Sequence, residues 1–285
     1  MKTFAEIRRS AREAMRKGWS GRLLLIIVTM QLCVMVVDSV FGEISRSCNA
    51  VSFLAYADKV LTHPLSAEEF LRMLWASCFE AVPLVVLSGI TLLALASATL
   101  RAQRGDGVDW FKQSFVGFRC PLRVAGMAFV QNLVVAFCAL VLFMPVFIWL
   151  WARTGRSWLS FLLALPFSLP GLVAAYRYRA AWYLCDENPA WGAIRCLKES
   201  AKLMCGWKFR AFLFDLSYFG WMVLVAFAMA LASILALVPT LVPLAVLMAF
   251  ALLAFAFFVL IYFILGRAGF YLEMKKQLKS EHAAS

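Results

Sequence analysis

Histidine is almost missing from this chain. His63 and His282 are the only two in 285 residues, too few and too far apart for a zinc site. Charge is also scarce, at 15% of residues, where a soluble domain carries nearer a quarter. No two cysteines form a CxxC pair among the eight present, and only Cys48 lies plainly away from the apolar segments and basic loops. A disulfide framework therefore has little to build on. There is no HExxH, no GxSxG, no phosphate-cradling glycine loop and no dinucleotide fingerprint. With so few deep polar groups, an enzyme is disfavoured, and no cofactor is expected.

What the chain has is apolar length. Apolar residues make up 64% of it and the mean hydropathy is +0.82. Several windows exceed the roughly 20 residues needed to cross a hydrocarbon core. The composition predicts an all-α polytopic membrane protein with about six spans. These lie near Leu23 to Phe41, Phe70 to Arg101, Val124 to Leu150, Trp158 to Tyr176, Ala211 to Val238 and Thr240 to Leu265. Residues 1–20 read as an amphipathic interfacial helix, with Phe4, Ile7, Ala11 and Ala14 on one face and the arginines largely opposite. Residues 21–272 form the six-span domain and 273–285 a short basic tail. The apolar run after the first helix leads into DSVFGEISR rather than a small-x-small site, so an uncleaved N-terminus is expected.

The net charge of +12 is distributed unevenly. In a six-span arrangement one side carries 23 of the Lys and Arg residues and the other side five. The positive-inside rule then places both termini in the cytoplasm. Because the basic residues flank apolar segments, anionic lipid headgroups are the expected partners and nucleic acid is not.

Three basic segments share a layout of helix, glycine, aromatic and arginine before a span. They read MRKGWSGRLLL at 15–25, SFVGFRCPLRV at 114–124 and LMCGWKFRAFL at 203–213. In each, glycine is expected to close a surface helix in the left-handed conformation, with Trp19, Phe118 or Trp207 at headgroup depth. Either the fold repeats three times, as a surface helix plus a two-span hairpin, or interfacial helices simply converge on these residues.

A few residues stand out chemically. Asn188-Pro189 reads as the start of a helix carrying Trp191, Ile194, Leu197, Ala201 and Met204 on one face. Arg195, Lys198 and Lys202 face elsewhere, as a candidate lipid or partner surface together with Trp191 and Trp207. The fourth span is broken at Pro166, Pro170 and Gly171, which is either a packing kink or the lining of a substrate path. Asp215 lies about 7 Å deeper than Arg210 along a helix. A carboxylate there needs a partner, and Arg177 or Arg179 is at similar depth. An ion pair tying spans four and five is one reading, and a proton or cation relay is the other. Asp38 and Glu80 lie near outer span ends, away from that depth. Gln31 and Asn132 read as amides joining helices.

Together these residues resemble a known family. The marks are Glu6-Ile7-Arg8 with Ala11-Arg12, Gly117-Phe118, Pro170-Gly171, Tyr176 to Tyr178, and Asp186 with Asn188-Pro189. They continue through Ser200, Met204, Gly206 and Lys208 to Leu216-Ser217, Gly220-Trp221, Ala268 and Phe270-Tyr271. The chain is similar to a group of uncharacterised bacterial integral-membrane proteins, catalogued as a domain of unknown function. That group is distantly similar to the membrane domain fused to some glycerophosphodiesterases. The match thins over residues 42–75 and 150–160, and Arg177 and Arg179 are more basic than the family's Tyr-containing turn. The resemblance implies six spans and a bacterial origin; it brings no activity with it. The sequence thus points to a non-enzymatic protein of the bacterial cytoplasmic membrane that acts through lipid or protein contacts on its basic surface helices. Its rivals are a small-solute or proton-coupled transporter using Asp215 and the broken span, and an intramembrane enzyme working on lipid.

Overall fold

The computed structural model describes residues 3–47, 67–154, 157–235 and 242–284, and all regular structure within them is helical. Helix α1 spans Phe4–Ala14 and starts at a capping box. Thr3 Oγ1 accepts the Glu6 amide at 3.3 Å, while Glu6 Oε2 accepts the Thr3 amide at 2.8 Å. A π-helical turn, Met15–Trp19, carries the chain directly into α2, Ser20–Ser47. Helix α3 is Ala67–Arg104 and α4 is the short Trp110–Ser114. Helix α5 is Pro121–Thr154. The fourth span is discontinuous, with α6 at Ser157–Ala164, a 3-10 turn at Leu165–Ser168 and α7 at Leu169–Arg177. Short helices α8, Ala181–Glu187, and α9, Ala193–Leu203, precede α10, Lys208–Leu235, and the long α11, Val242–Ala284. Residues 273–284 thus continue the last helix rather than forming a separate tail.

Among the described residues, six helical segments are long and apolar enough to cross a membrane: Ser20–Val40, Val82–Arg104, Pro121–Arg153, Leu159–Glu187, Lys208–Leu231 and Val246–Ser280. They pack as consecutive hairpins, α2 on α3, α5 on α6 and α7, and α10 on α11. Each hairpin follows a short helical stretch, which is the order the three similar segments suggested.

The core occupies one end of this bundle. Along α2 the buried residues are Leu23, Ile26 and Met30; along α5 they are Val124, Met127 and Ala128; along α10, Ala211, Phe214 and Tyr218. At the other end large apolar side chains face outward, with Phe137 67%, Phe227 70% and Phe250 69% exposed. Water would not tolerate such a belt, whereas hydrocarbon would. The packed end is also the basic one. There Arg22 Nη1 donates to the Val108 carbonyl at 3.0 Å, and Gln103 Nε2 to the Leu265 carbonyl at 3.0 Å.

Helix α1 departs from expectation in what its apolar face meets. Ile7, Ala11 and Ala14 are buried against the protein, chiefly α11, and Phe4 packs edge-on to Phe214 at 5.7 Å. A helical period shows that a face is covered, not whether lipid or protein covers it. The glycine expectation holds once: Gly206 has φ +79°, while Gly117 lies in a 3-10 turn against Ile90 and Gly18 lies in the π turn. In that first segment surface helix and span are continuous, so no reversal is required. What two of the three segments do share is a cation over an indole. Arg22 sits 5.2 Å from the Trp19 ring and Arg210 5.3 Å from the Trp207 ring.

Candidate functional site

The centre of the packed end is α8. Five successive residues, Ala181 to Cys185, are buried, which is unusual for a helix of this length and marks it as the element its neighbours close over. Its C-terminus has exposed carbonyls to satisfy. Arg123 from α5 supplies the donors: Nη2 bonds the Cys185 and Asn188 carbonyls at 2.9 Å each, and Nη1 bonds Pro189 at 2.6 Å. Asn188 completes the end, its amide nitrogen donating to the Leu184 carbonyl at 3.2 Å. Asn188-Pro189 therefore terminates a helix instead of starting one. The next helix begins at Ala193 behind an extended Gly192, because Asn188 is taken up by the carbonyls behind it.

Asp215 lies on α10 beside this element, 12% exposed. Arg179 meets it with two contacts of 2.8 Å, Nη1 to Oδ2 and Nη2 to Oδ1. Arg267 adds Nη2 to Oδ2 at 2.8 Å, and the Tyr176 hydroxyl donates to Oδ2 at 2.9 Å. Arg179 also reaches back to the Ala211 carbonyl at 3.2 Å. Of the two candidate partners, Arg179 is the one brought to Asp215. Arg177 points away, its guanidinium 5.9 Å from the Tyr178 ring, because it lies two residues earlier on the last turn of α7. The pair links spans four and five, and Arg267 adds the sixth.

A second cluster surrounds Glu187 at the end of α8. Its carboxylate, 9% exposed, accepts from Arg104 of α3, from Lys275 of α11 at 2.5 Å and from the Tyr271 hydroxyl at 2.6 Å. Tyr271 stacks on Tyr183 with ring centroids 4.9 Å apart, so the two clusters lie on either side of one aromatic pair. Both follow the same pattern, one carboxylate held by two cations and a tyrosine.

The other sequence candidates fall elsewhere. Pro166 is exposed and Pro170 half-buried. At the break the Leu169 amide takes the Pro166 carbonyl that Pro170 cannot bond, and Ser168 Oγ donates to the Leu165 carbonyl at 2.7 Å. Gly171 sits hard against α5: a Cβ there would lie 2.4 Å from Ala139 Cβ and 3.0 Å from its backbone nitrogen. Such a close approach of two helices requires small residues at the contact. Gly171→Ala should accordingly lower unfolding stability by about 2 kcal/mol in detergent. Gly220→Ala, where nothing lies within 4 Å, should not.

On α9 the buried residues are Cys196, Leu197 and Ser200, with Met204 buried at its C-cap, so this helix rests on protein through a face turned from the expected one. Ile194 is 62% exposed. Arg195 stacks over Trp191 at 4.7 Å, Lys198 is exposed, and exposed Lys202 pairs with Glu199 at 2.8 Å. Trp207 is half-buried against Phe270. Gln31 and Asn132 are exposed rather than bridging helices, and Gln103 makes such a bond instead. The Glu80 side chain lies outside the described residues.

Sequence reading missed Arg267, Tyr176, Glu187, Arg104, Lys275 and Arg123 as site residues. Arg267 was legible as the first cation after the last apolar run. Glu187 carries no comparable signal, since an acid in a basic loop usually faces water.

Six membrane-crossing helices joined at one end by a buried polar network define an all-α polytopic membrane protein. Within that class, the chain belongs to the family described as "Protein of unknown function (DUF975)", which matches residues 1–278. No curated protein and no solved structure matches it.

Proposed function

We propose that this is a non-enzymatic multi-pass protein of the bacterial cytoplasmic membrane, with both termini inside, that works by binding anionic lipid at its basic end. The observation that carries the reading is the surplus of cations there. Arg195, Lys198 and Lys202 stand exposed on α9 while the buried carboxylates, Asp215 and Glu187, are already saturated by other cations. An exposed ridge of this kind attracts anionic headgroups by roughly 1 kcal/mol per residue near the surface.

The transport reading needs an acid free to load and release a proton or cation. Asp215 is instead held on both oxygens by Arg179 and Arg267, which supports a fixed tie. The packing of Gly171 against Ala139 supports a kink without a path.

The test is thermal unfolding of the detergent-solubilised chain with added phosphatidylglycerol or phosphatidylcholine. The anionic lipid should raise the midpoint more, and the triple variant Arg195→Ala, Lys198→Ala, Lys202→Ala should lose most of that difference. Equal responses to the two lipids, or proteoliposome flux that Asp215→Asn abolishes, would overturn the reading.

A further inference from the structure

A cleft of about 280 Å³ opens beside the Asp215 cluster, between the second, third and fourth spans and the last helix. Its polar wall consists of Tyr176, Arg179, Arg267, Gln131 and Trp182. Leu92 and Leu172, 44% and 41% exposed, form its apolar side and belong to membrane-crossing segments.

Three features of this wall call for a ligand. The first is charge: Arg179 and Arg267 share the carboxylate of Asp215, and among the described residues neither is paired with a second one. Arg267 commits Nε and Nη2 to that carboxylate, and among the described residues Nη1 makes no hydrogen bond. The second is Trp182, only 6% exposed, whose Nε1 has no hydrogen-bond partner among the described residues. A buried indole nitrogen normally finds an acceptor. The third is Gln131, whose Oε1 is buried without a donor. The indole can only donate and the amide oxygen can only accept. A ligand suited to all three would bring an anionic acceptor and a hydrogen-bond donor together, with an apolar portion to lie along Leu92 and Leu172.

We propose that this cleft seats the headgroup of one anionic phospholipid of the phosphoglycerol type. Its phosphate would lie against Arg267 and the Trp182 indole nitrogen, a glycerol hydroxyl would donate to Gln131 Oε1, and its acyl chains would run past Leu92 and Leu172. The proposal rests on the lipid-binding reading above and moves it from a diffuse ridge to a single site. Phosphate is the shared chemistry of lipid and free anion. The cleft's position among the spans, with leucines at its edge, favours the lipid.

Native mass spectrometry of the full chain in detergent tests this, with phosphatidylglycerol, phosphatidylcholine and inorganic phosphate as probes. One phosphatidylglycerol per chain should bind saturably. Trp182→Phe keeps the ring and removes the donor, and should weaken that binding roughly tenfold, the worth of one hydrogen bond to a charged group. Gln131→Leu, at a half-buried position, should weaken it as well and guards against a folding defect in the tryptophan variant. The ridge variant Arg195→Ala, Lys198→Ala, Lys202→Ala should leave the single adduct in place. Wild-type affinity in both cleft variants would overturn the proposal, and so would displacement of the lipid by millimolar inorganic phosphate. If the ridge variant alone abolishes anionic-lipid preference, the cleft falls and the ridge reading stands. Loss confined to the cleft variants gives the reverse.

Discussion

Asp215→Ala should cost about 3 kcal/mol of unfolding free energy in detergent or nanodiscs. The loss has little to do with one salt bridge being strong. Removing the carboxylate leaves Arg179 and Arg267 close together, with side chains 10% and 38% exposed and, among the described residues, no other carboxylate paired with them. Two further variants separate that repulsion from lost packing. Asp215→Asn keeps an acceptor for Tyr176 and one arginine, so it should lose less. Asp215→Ala combined with Arg267→Gln should be more stable than Asp215→Ala alone, because the second change removes the charge the first one stranded. If Asp215→Ala unfolds within 0.5 kcal/mol of the wild type, roughly the limit of an ordinary surface substitution, the tie does not hold the bundle together.

The second large effect is expected at Glu187, and it has a distinct signature. This carboxylate gathers Arg104 from the end of α3 together with Lys275 and Tyr271 from α11. Glu187→Ala should destabilise by about 3 kcal/mol by the same logic of stranded cations. It should also loosen the end of the last helix locally, since Lys275 and Tyr271 are anchored there. Trypsin should then cut at Lys275, Lys276 and Lys279 several-fold faster than in the wild type, before the spans unfold. An unchanged digestion pattern would show that this helix end is held by its apolar contacts alone, such as the buried Phe270 and Met274.

Much of this architecture was readable from residue order. Long apolar runs can satisfy their backbone in lipid only as helices, so six such runs gave six crossings. The depth of Asp215 relative to Arg210 was enough to narrow its partner to Arg177 or Arg179, and only folding chooses Arg179. The remainder depended on information that periodicity lacks. Ile7, Ala11 and Ala14 mark a covered face on α1, and the same spacing would serve for lipid as for the α11 surface they meet. Asn188 is a strong helix-starting residue by type, yet it closes α8, its side-chain amide taking the Leu184 carbonyl while Arg123, far off in sequence, collects those of Cys185 and Asn188. The cleft was invisible for a similar reason. Trp182 and Gln131 are ordinary span residues until folding places them on one wall without partners.

The contact between α1 and α11 has a consequence in time. A chain made from its N-terminus presents Ile7 and Ala11 long before the residues around Gly269, against which Ile7 comes to rest, have been synthesised. Both carboxylate clusters wait likewise, Asp215 for Arg267 and Glu187 for Lys275. Insertion of the spans and completion of the basic end are therefore separate events, and α1, made before every span, is among the last elements to find its place.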